Sequence, residues 1–371
     1  MPEKKARRRA GLKRIRRIQK SPNRNSTIIA KNGQSKLAWQ WVNLRKAYAP
    51  KRPMSYLVRP ILPLPSLNIL YGEPGSLKTM LAMDLAFCVV AGKEWLSAQP
   101  GESIAGYQSK TSPVLWIDVD NGNDLIERRF KALGSWHQVP KDSQIHFTSF
   151  PPFALNKAGS VKELVKAIKH FGARLVIFDN LGTISGGTDE NSSHMIGLMG
   201  VLRKIAERTR SAIVVIHHTS KAGSLRGHSS INAAVDLALL IEREADTVKI
   251  RSTKTRHAPI IPFKAQWDYI SSANGELIKG GFYGLGQSNL NEMTPAERLT
   301  QLSDQILSGF REGTLINGMN QTDIVKTLRE NGDFNLGRNL IRKVLDNLES
   351  KGKLMTDSGL NNSKLYSLSG E

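Results

Sequence analysis

The sequence predicts an α/β protein: a mostly parallel sheet flanked by helices, followed by a small helical module with a hairpin and preceded by a disordered basic arm. Three observations carry this reading. Short continuous apolar runs alternate with helical periodicity between Leu67 and Thr219, the pattern of strands covered on both faces. A glycine-containing loop, Gly72–Thr79, falls directly between the first such run and the first such helix. Positive charge is crowded at one end: residues 1–52 carry 17 Lys/Arg against Glu3 alone, in a chain of 371 residues with net charge +21.

The opening run, MPEKKARRRAGLKRIRRIQKSPNRN, has too little apolar content to order itself. Such an arm binds polyanions by releasing their counterions, or serves only as a solubilising tail. LAWQWVNLRKAY, Leu37–Tyr48, suits a short amphipathic helix. The expected strands are Leu67–Tyr71, Pro113–Asp120, Ile145–Phe150, Arg174–Leu181 and Ser211–Thr219, with helices over Lys78–Ala91, Asp124–Leu133, Val161–Phe171 and Ser192–Arg208. Val235–Arg243, Thr247–Thr255 and Phe263–Ile270 then read as an antiparallel extension of the sheet. Gly280–Asn291, rich in Gly and Asn, reads as a linker. Helices over Pro295–Arg311, Gln321–Glu330 and Leu336–Lys351, then strands Lys353–Asp357 and Lys364–Leu368, follow the order of a winged helix-turn-helix. The resulting division is arm 1–36, linking or docking segment 37–66, α/β domain 67–279, linker 280–291 and winged-helix-like module 292–371.

Composition excludes several classes. The one cysteine, Cys88, forbids an internal disulfide and a cage of cysteines around a metal. No apolar run approaches the ~18–20 residues needed to span a bilayer, and the charged start holds no secretory signal. A cytoplasmic protein that uses no membrane is expected.

The loop Gly72-Glu73-Pro74-Gly75-Ser76-Leu77-Lys78-Thr79 has the form that turns backbone N–H groups around a phosphate at a helix N-terminus. Lys78 is expected to reach the β- and γ-phosphates of a nucleotide, and Thr79 to ligate Mg²⁺. Leu77 stands where glycine usually precedes the lysine, so it must adopt glycine's dihedrals or distort the loop. Asp179 ends the strand LVIFD, where a carboxylate holds the metal through water. Asp118 and Asp120 close the neighbouring strand. Asp120, last before the turn, is the better placed to polarise an attacking water, and Asp118 to bond locally.

These runs, with LVIFDNLGTISGGTDENSS, AIVVIHHTSKAGSLRGHSSINAAVDLALLIE and IRSTKTRHAP, resemble the RecA-type ATPases of the hexameric replicative helicase group, most nearly the plasmid and phage RepA-like helicases, over about Met54–Ile270. The resemblance implies a RecA-like core, ATP with Mg²⁺ as cofactors, a homohexameric ring with ATP sites between subunits, and single-stranded or forked DNA in the channel. It matches Asp120 to the family's catalytic glutamate, one methylene longer, and His218 or His217 to the γ-phosphate sensor. Lys254 and Arg256 match the basic pair inserted into a neighbour's site. The loops Gly182–Ser193 and Ser220–Ser230, the latter with Lys221 and Arg226, fall where the family meets DNA.

In the C-terminal module, Arg338, Arg342 and Lys343 lie on the expected recognition helix. Yet residues 292–371 hold 10 basic and 11 acidic side chains, a balance that suits contact with a replication initiator or primase as well as DNA. The implied function is an ATP-dependent DNA helicase of a plasmid, phage or other mobile element. A non-processive ATP-dependent DNA-binding regulator or recombination mediator is the alternative.

Overall fold

The computed structural model describes residues 41–51, 53–220, 222–257, 259–288, 295–330, 338–359 and 363–369. The arm expected over 1–36 and Lys221 lie outside the described residues. The chain divides after Pro53 into two units. In the first, the Asn43 side chain accepts the Lys46 N–H at the start of a single exposed turn, α1 (Leu44–Ala47). The described part of the helix expected over Leu37–Tyr48 is therefore this one turn.

The second unit opens with a hairpin, β1 (Ser55–Val58) and β2 (Leu62–Leu64). Its Leu57, Val58, Ile61 and Leu62 join the main core, so the sheet domain begins about a dozen residues earlier than the boundary drawn at 67. Next come β3 (Ser66–Gly72), α2 (Lys78–Ala91), β4 (Val114–Asp118), α3 (Asn123–His137), β5 (Ile145–Ser149), α4 (Ala158–Phe171), β6 (Leu175–Asp179) and a short α5 (Leu181–Ile184). Then follow α6 (Met195–Thr209), β7 (Ala212–His218), α7 (Ser229–Ala234), β8 (Leu237–Glu244), β9 (Thr247–Thr255), β10 (Phe263–Ser271) and β11 (Leu277–Gln287). Nine of these strands form one sheet, ordered β11-β10-β9-β8-β3-β7-β6-β4-β5.

From β8 to β5 every pairing is parallel; from β8 to β11 every pairing is antiparallel. The loop-bearing strand β3 lies between β7 and β8, one strand removed from β6. This is the expected fold class, a RecA-like P-loop ATPase core. Alternate residues feed two cores: Leu70 faces one with α2 and α3, whereas Ile69 and Tyr71 face the other with α4 and α6. Helix α2 is buried along most of its length, which explains its nearly unbroken apolar sequence. Gly92 ends it in the left-handed region and bonds back to Val89 O and Cys88 O.

The expected linker over Gly280–Asn291 is corrected in its first part: Gly280–Gln287 belongs to β11. Its glycines serve close packing rather than flexibility. A Cβ built at Gly281 would stand 2.1 Å from the Trp136 ring, and one at Gly284 2.1 Å from Leu96 O. Only glycine admits such approaches inside a strand.

After the strand come α8 (Pro295–Glu312), β12 (Met319–Asn320), α9 (Gln321–Glu330), α10 (Arg338–Ser350), β13 (Leu354–Ser358) and β14 (Lys364–Leu368). Three helices cover a sheet ordered β12-β14-β13, around a core that includes Leu302, Ile306, Ile324, Val344, Leu345 and Tyr366. The two-residue β12 adds a strand to the expected hairpin by pairing with Tyr366 and Leu365. Among the described residues, no helix is long and apolar enough to cross a membrane.

Candidate active site at the phosphate loop

Parallel strands deliver their C-terminal ends to one edge of a sheet, where ligands of open α/β folds bind. Here β3 delivers the loop Gly72–Thr79, β6 delivers Asp179, β4 delivers Asp118 and Asp120, and β7 delivers His218 beside Gly72. The loop is drawn tight. A Cβ at Gly72 would stand 2.3 Å from Ile241 O, and Gly75 has φ +80°. No side chain caps α2, so its first-turn N–H groups remain available to an anion.

Leu77 takes the dihedrals of the usual glycine, φ 64° and ψ 17°. A non-glycine residue there costs about 1–2 kcal/mol, offset by packing of its half-buried side chain on the core. Leu77→Gly is therefore expected to leave stability within about 1 kcal/mol of the parent. Leu77→Val, β-branched at the same dihedrals, is expected to lose about 1–2 kcal/mol or more. Thermal unfolding of the two variants checks this.

Lys78 is buried. Its ammonium donates to Glu73 O at 2.6 Å and to Ser76 Oγ at 3.2 Å. Burial lowers its pKa, and the charges of Asp179 and Glu73 oppose that shift. Thr79 Oγ1 donates to Asp179 Oδ2 at 2.8 Å. A hydroxyl and a carboxylate side by side are hard oxygen donors that fit Mg²⁺, and the lysine and the free helix N–H groups fit the phosphates it accompanies.

Asp118 is fully buried and bonds locally, accepting N–H from Asn121 at 3.2 Å and from Gly122 at 2.9 Å. Asp120 is exposed at the mouth of the site, where its charge acts on Asp179 and His218. The two histidines differ. His217 is buried, hydrogen-bonded through Nε2 to Arg226 O at 3.1 Å, and burial pushes its pKa down to about 4. His218 is part-exposed, and its Nδ1 has no hydrogen-bond partner. Burial and the Lys78 charge lower its pKa, so it stands neutral beside the loop.

Burial raises the Asp179 carboxyl to about 6; the Thr79 hydroxyl opposes this, and Asp120 and Asp118 add to it. Because the folded value lies above the ordinary 3.8, the stability tied to this group is fully present below about pH 4. It is lost as pH rises through about 6. Cation binding runs the other way, since the metal needs the carboxylate. Apparent Mg²⁺ affinity in nucleotide binding is expected to fall about tenfold from pH 7 to pH 5, a dependence that Asp179→Asn removes.

The remaining expected site residues lie elsewhere. Lys254, near the end of β9, and Arg256, just after it, lie at the opposite end of the sheet, because β9 runs antiparallel to β8. The Lys254 ammonium donates to Asn232 O and Ala233 O, and Arg256 Nη2 donates to Ala233 O at 2.5 Å. Arg256 is also 3.9 Å from Asp236, a carboxylate already held by both Nη atoms of Arg203 at 2.6 and 2.7 Å. Arg226 is not a free cation in the second expected DNA loop: its Nε meets Glu190 Oε2 at 2.9 Å. His228 N–H donates to Glu190 O at 2.7 Å, so both expected DNA loops are clasped together at Glu190. Arg342 and Lys343 are exposed on α10, which Arg338 begins.

Four neighbours of the site escaped the sequence reading. Arg129 donates to Asn121 Oδ1 at 2.9 Å, and Asn121 Nδ2 reaches Asp179 at 3.3 Å. Glu190 is the third. Arg243 donates to Gly75 O at 3.1 Å and lines a cavity of about 550 Å³ beside the loop. Arg243 lies one residue before the end of β8, and only the pairing of that strand with β3 brings it to the loop.

Among solved structures, the chain is similar to the KaiC-like protein PH0186 of the hyperthermophilic archaeon Pyrococcus horikoshii. Identity is 13%, the TM-score is 0.43, and the match covers 61% of this chain and 93% of that one. A family model described as an AAA domain matches residues 34–224, more than half of the 371. That span holds the phosphate loop, Asp120, Asp179 and His218, and the chain belongs to this AAA-domain family, as a P-loop ATPase with a RecA-like core.

Proposed function

We propose that the chain is an ATP-dependent DNA helicase or translocase in the replication of a plasmid, phage or other mobile element. It works as a hexameric ring with ATP sites between subunits. The observation that carries this is the position of Arg256. Its N–H bonds Asp236 O, and Asp236 N–H bonds Leu67 O, five residues before Gly72. At about 3.3 Å per residue, that is roughly 16 Å from its own phosphate loop. A guanidinium held that far from its own phosphates supports a role at a neighbour's site.

In one subunit Lys78 holds the phosphates, Thr79 and Asp179 hold Mg²⁺, Asp120 polarises water and His218 senses the γ-phosphate. Bound Mg²⁺ supplies charge neutralisation on the phosphates. Lys254 and Arg256 act from the next subunit. Lys221 and Arg226 in the channel loops follow the DNA backbone, with Arg226 released from Glu190 as the loops move. The winged-helix-like module, through Arg338, Arg342 and Lys343, contacts DNA, a replication initiator or a primase, and the basic arm holds DNA nearby in the cytoplasm.

The second reading is a non-processive ATP-dependent clamp. The strained Leu77 and the Glu190–Arg226 pair favour it, since both slow a motor. Strand displacement on a forked duplex separates the two. ATP-driven unwinding is expected, and tight ATP-dependent DNA binding without unwinding would establish the clamp.

A further inference from the structure

Away from the nucleotide site, three chemically reactive side chains meet under the far half of α2. Asp84 and Cys88 are four residues apart, on one face of the helix. His137 is the last residue of α3, its ring stacked on Phe87 with centroids 5.9 Å apart. Asp84 Oδ1 lies 2.8 Å from His137 Nε2 and accepts Phe282 N–H at 3.0 Å. Cys88 Sγ lies 3.9 Å from His137 Nδ1. Asp84 is 0% exposed, and its Oδ2 has no hydrogen-bond partner. An unpartnered carboxylate oxygen in a dry interior is costly, and no mechanism at the phosphate loop uses it.

We propose that Asp84, Cys88 and His137 form a binding site for a thiophilic divalent cation of the Zn²⁺ class. Each residue gives one ligand atom, and these three atoms already lie within 4.8 Å of one another. Tetrahedral ligands on Zn²⁺ bonds of about 2.0–2.3 Å stand about 3.3–3.8 Å apart. Asp84 and Cys88 now face different nitrogens of His137, at 2.8 and 3.9 Å, so binding requires the imidazole to turn one nitrogen toward both and the three ligands to draw in. The donors are sulfur, nitrogen and oxygen, which suit zinc, unlike the all-oxygen set at Thr79 and Asp179. The fourth position opens on a cavity of about 490 Å³ lined by Cys88, His137, Lys93 and Glu94, which gives the ion an entry path. Burial and the Asp84 charge keep the free thiol protonated, and the nearby Lys93 charge opposes them. A bound cation ties α2, whose first turn holds Lys78 and Thr79, to α3 and, through Asp84 and Phe282, to β11.

Cobalt is the probe, because Cys88 is the chain's one cysteine and any sulfur-to-cobalt charge-transfer band must come from it. The full chain titrated with Co²⁺ is expected to show that band together with intense tetrahedral bands in the visible. Cys88→Ser abolishes the charge-transfer band; Asp84→Asn and His137→Gln weaken Co²⁺ binding about tenfold or more; and Zn²⁺ displaces the cobalt. Asp179→Asn, at the nucleotide site, leaves the spectrum unchanged. The folded protein giving no charge-transfer band at millimolar Co²⁺ would overturn the site. So would a band whose midpoint ignores both Asp84→Asn and His137→Gln.

Discussion

Lys78→Ala is expected to reduce ATP hydrolysis by at least about 10²-fold, the loss seen when a preorganised charge is removed from a reacting phosphate. Among the described residues, Lys78 is the one buried lysine or arginine. Its ammonium donates to Glu73 O and Ser76 Oγ within its own loop. Burial already weakens its hold on the proton, and the Asp179 charge opposes that, so it remains a cation aimed at the site. Alanine removes that cation from the place where the γ-phosphate is to be held. The nucleotide-induced rise in melting temperature is expected to shrink with it, since a ligand stabilises only the state that binds it. Hydrolysis within a factor of about three of the parent would remove Lys78 from the chemistry.

Arg256→Ala is expected to cost about 10³-fold or more in hydrolysis, the range for an arginine supplied in trans, while leaving nucleotide binding by each chain intact. The fold tolerates the loss. Asp236 keeps both Nη contacts from Arg203, and Ala233 O keeps Lys254. The test that isolates the role is mixing. Arg256→Ala keeps its phosphate loop, and Lys78→Ala keeps its arginine, so mixed assemblies contain some complete sites. Each variant alone is expected to be inactive, and the mixture to recover measurable hydrolysis. An active Arg256→Ala, or a mixture as dead as its parts, contradicts a site shared between subunits.

The sheet and the loop were legible in the sequence because both rest on local rules. Unbroken apolar runs mark strands buried on both faces, and Gly72–Thr79 announces itself by spacing. Residues that act across the fold were not legible. Nothing local to Glu190 points to Arg226 36 residues later, or to a clasp between two loops. Arg243 reaches the phosphate loop only because β8 pairs with β3. The glycines of β11 misled in the opposite direction: composition marks Gly280–Gln287 as a linker, while the rings of Trp136 and Trp267 need the space that missing side chains leave. The αL conformation of Leu77 was posed by the sequence as one of two outcomes, and the left-handed dihedrals are the one found. The Asp84–Cys88–His137 cluster joins two helices far apart in sequence, and only the packing of α2 on α3 brings it together.

Steady-state ATP hydrolysis with and without single-stranded DNA, with Lys78→Ala as the blank, is the direct test of the proposed DNA-coupled motor. Hydrolysis that rises severalfold on adding DNA and vanishes in the variant is the predicted result. Hydrolysis that depends on Lys78 but ignores DNA would contradict the motor and leave an ATPase that works on something else.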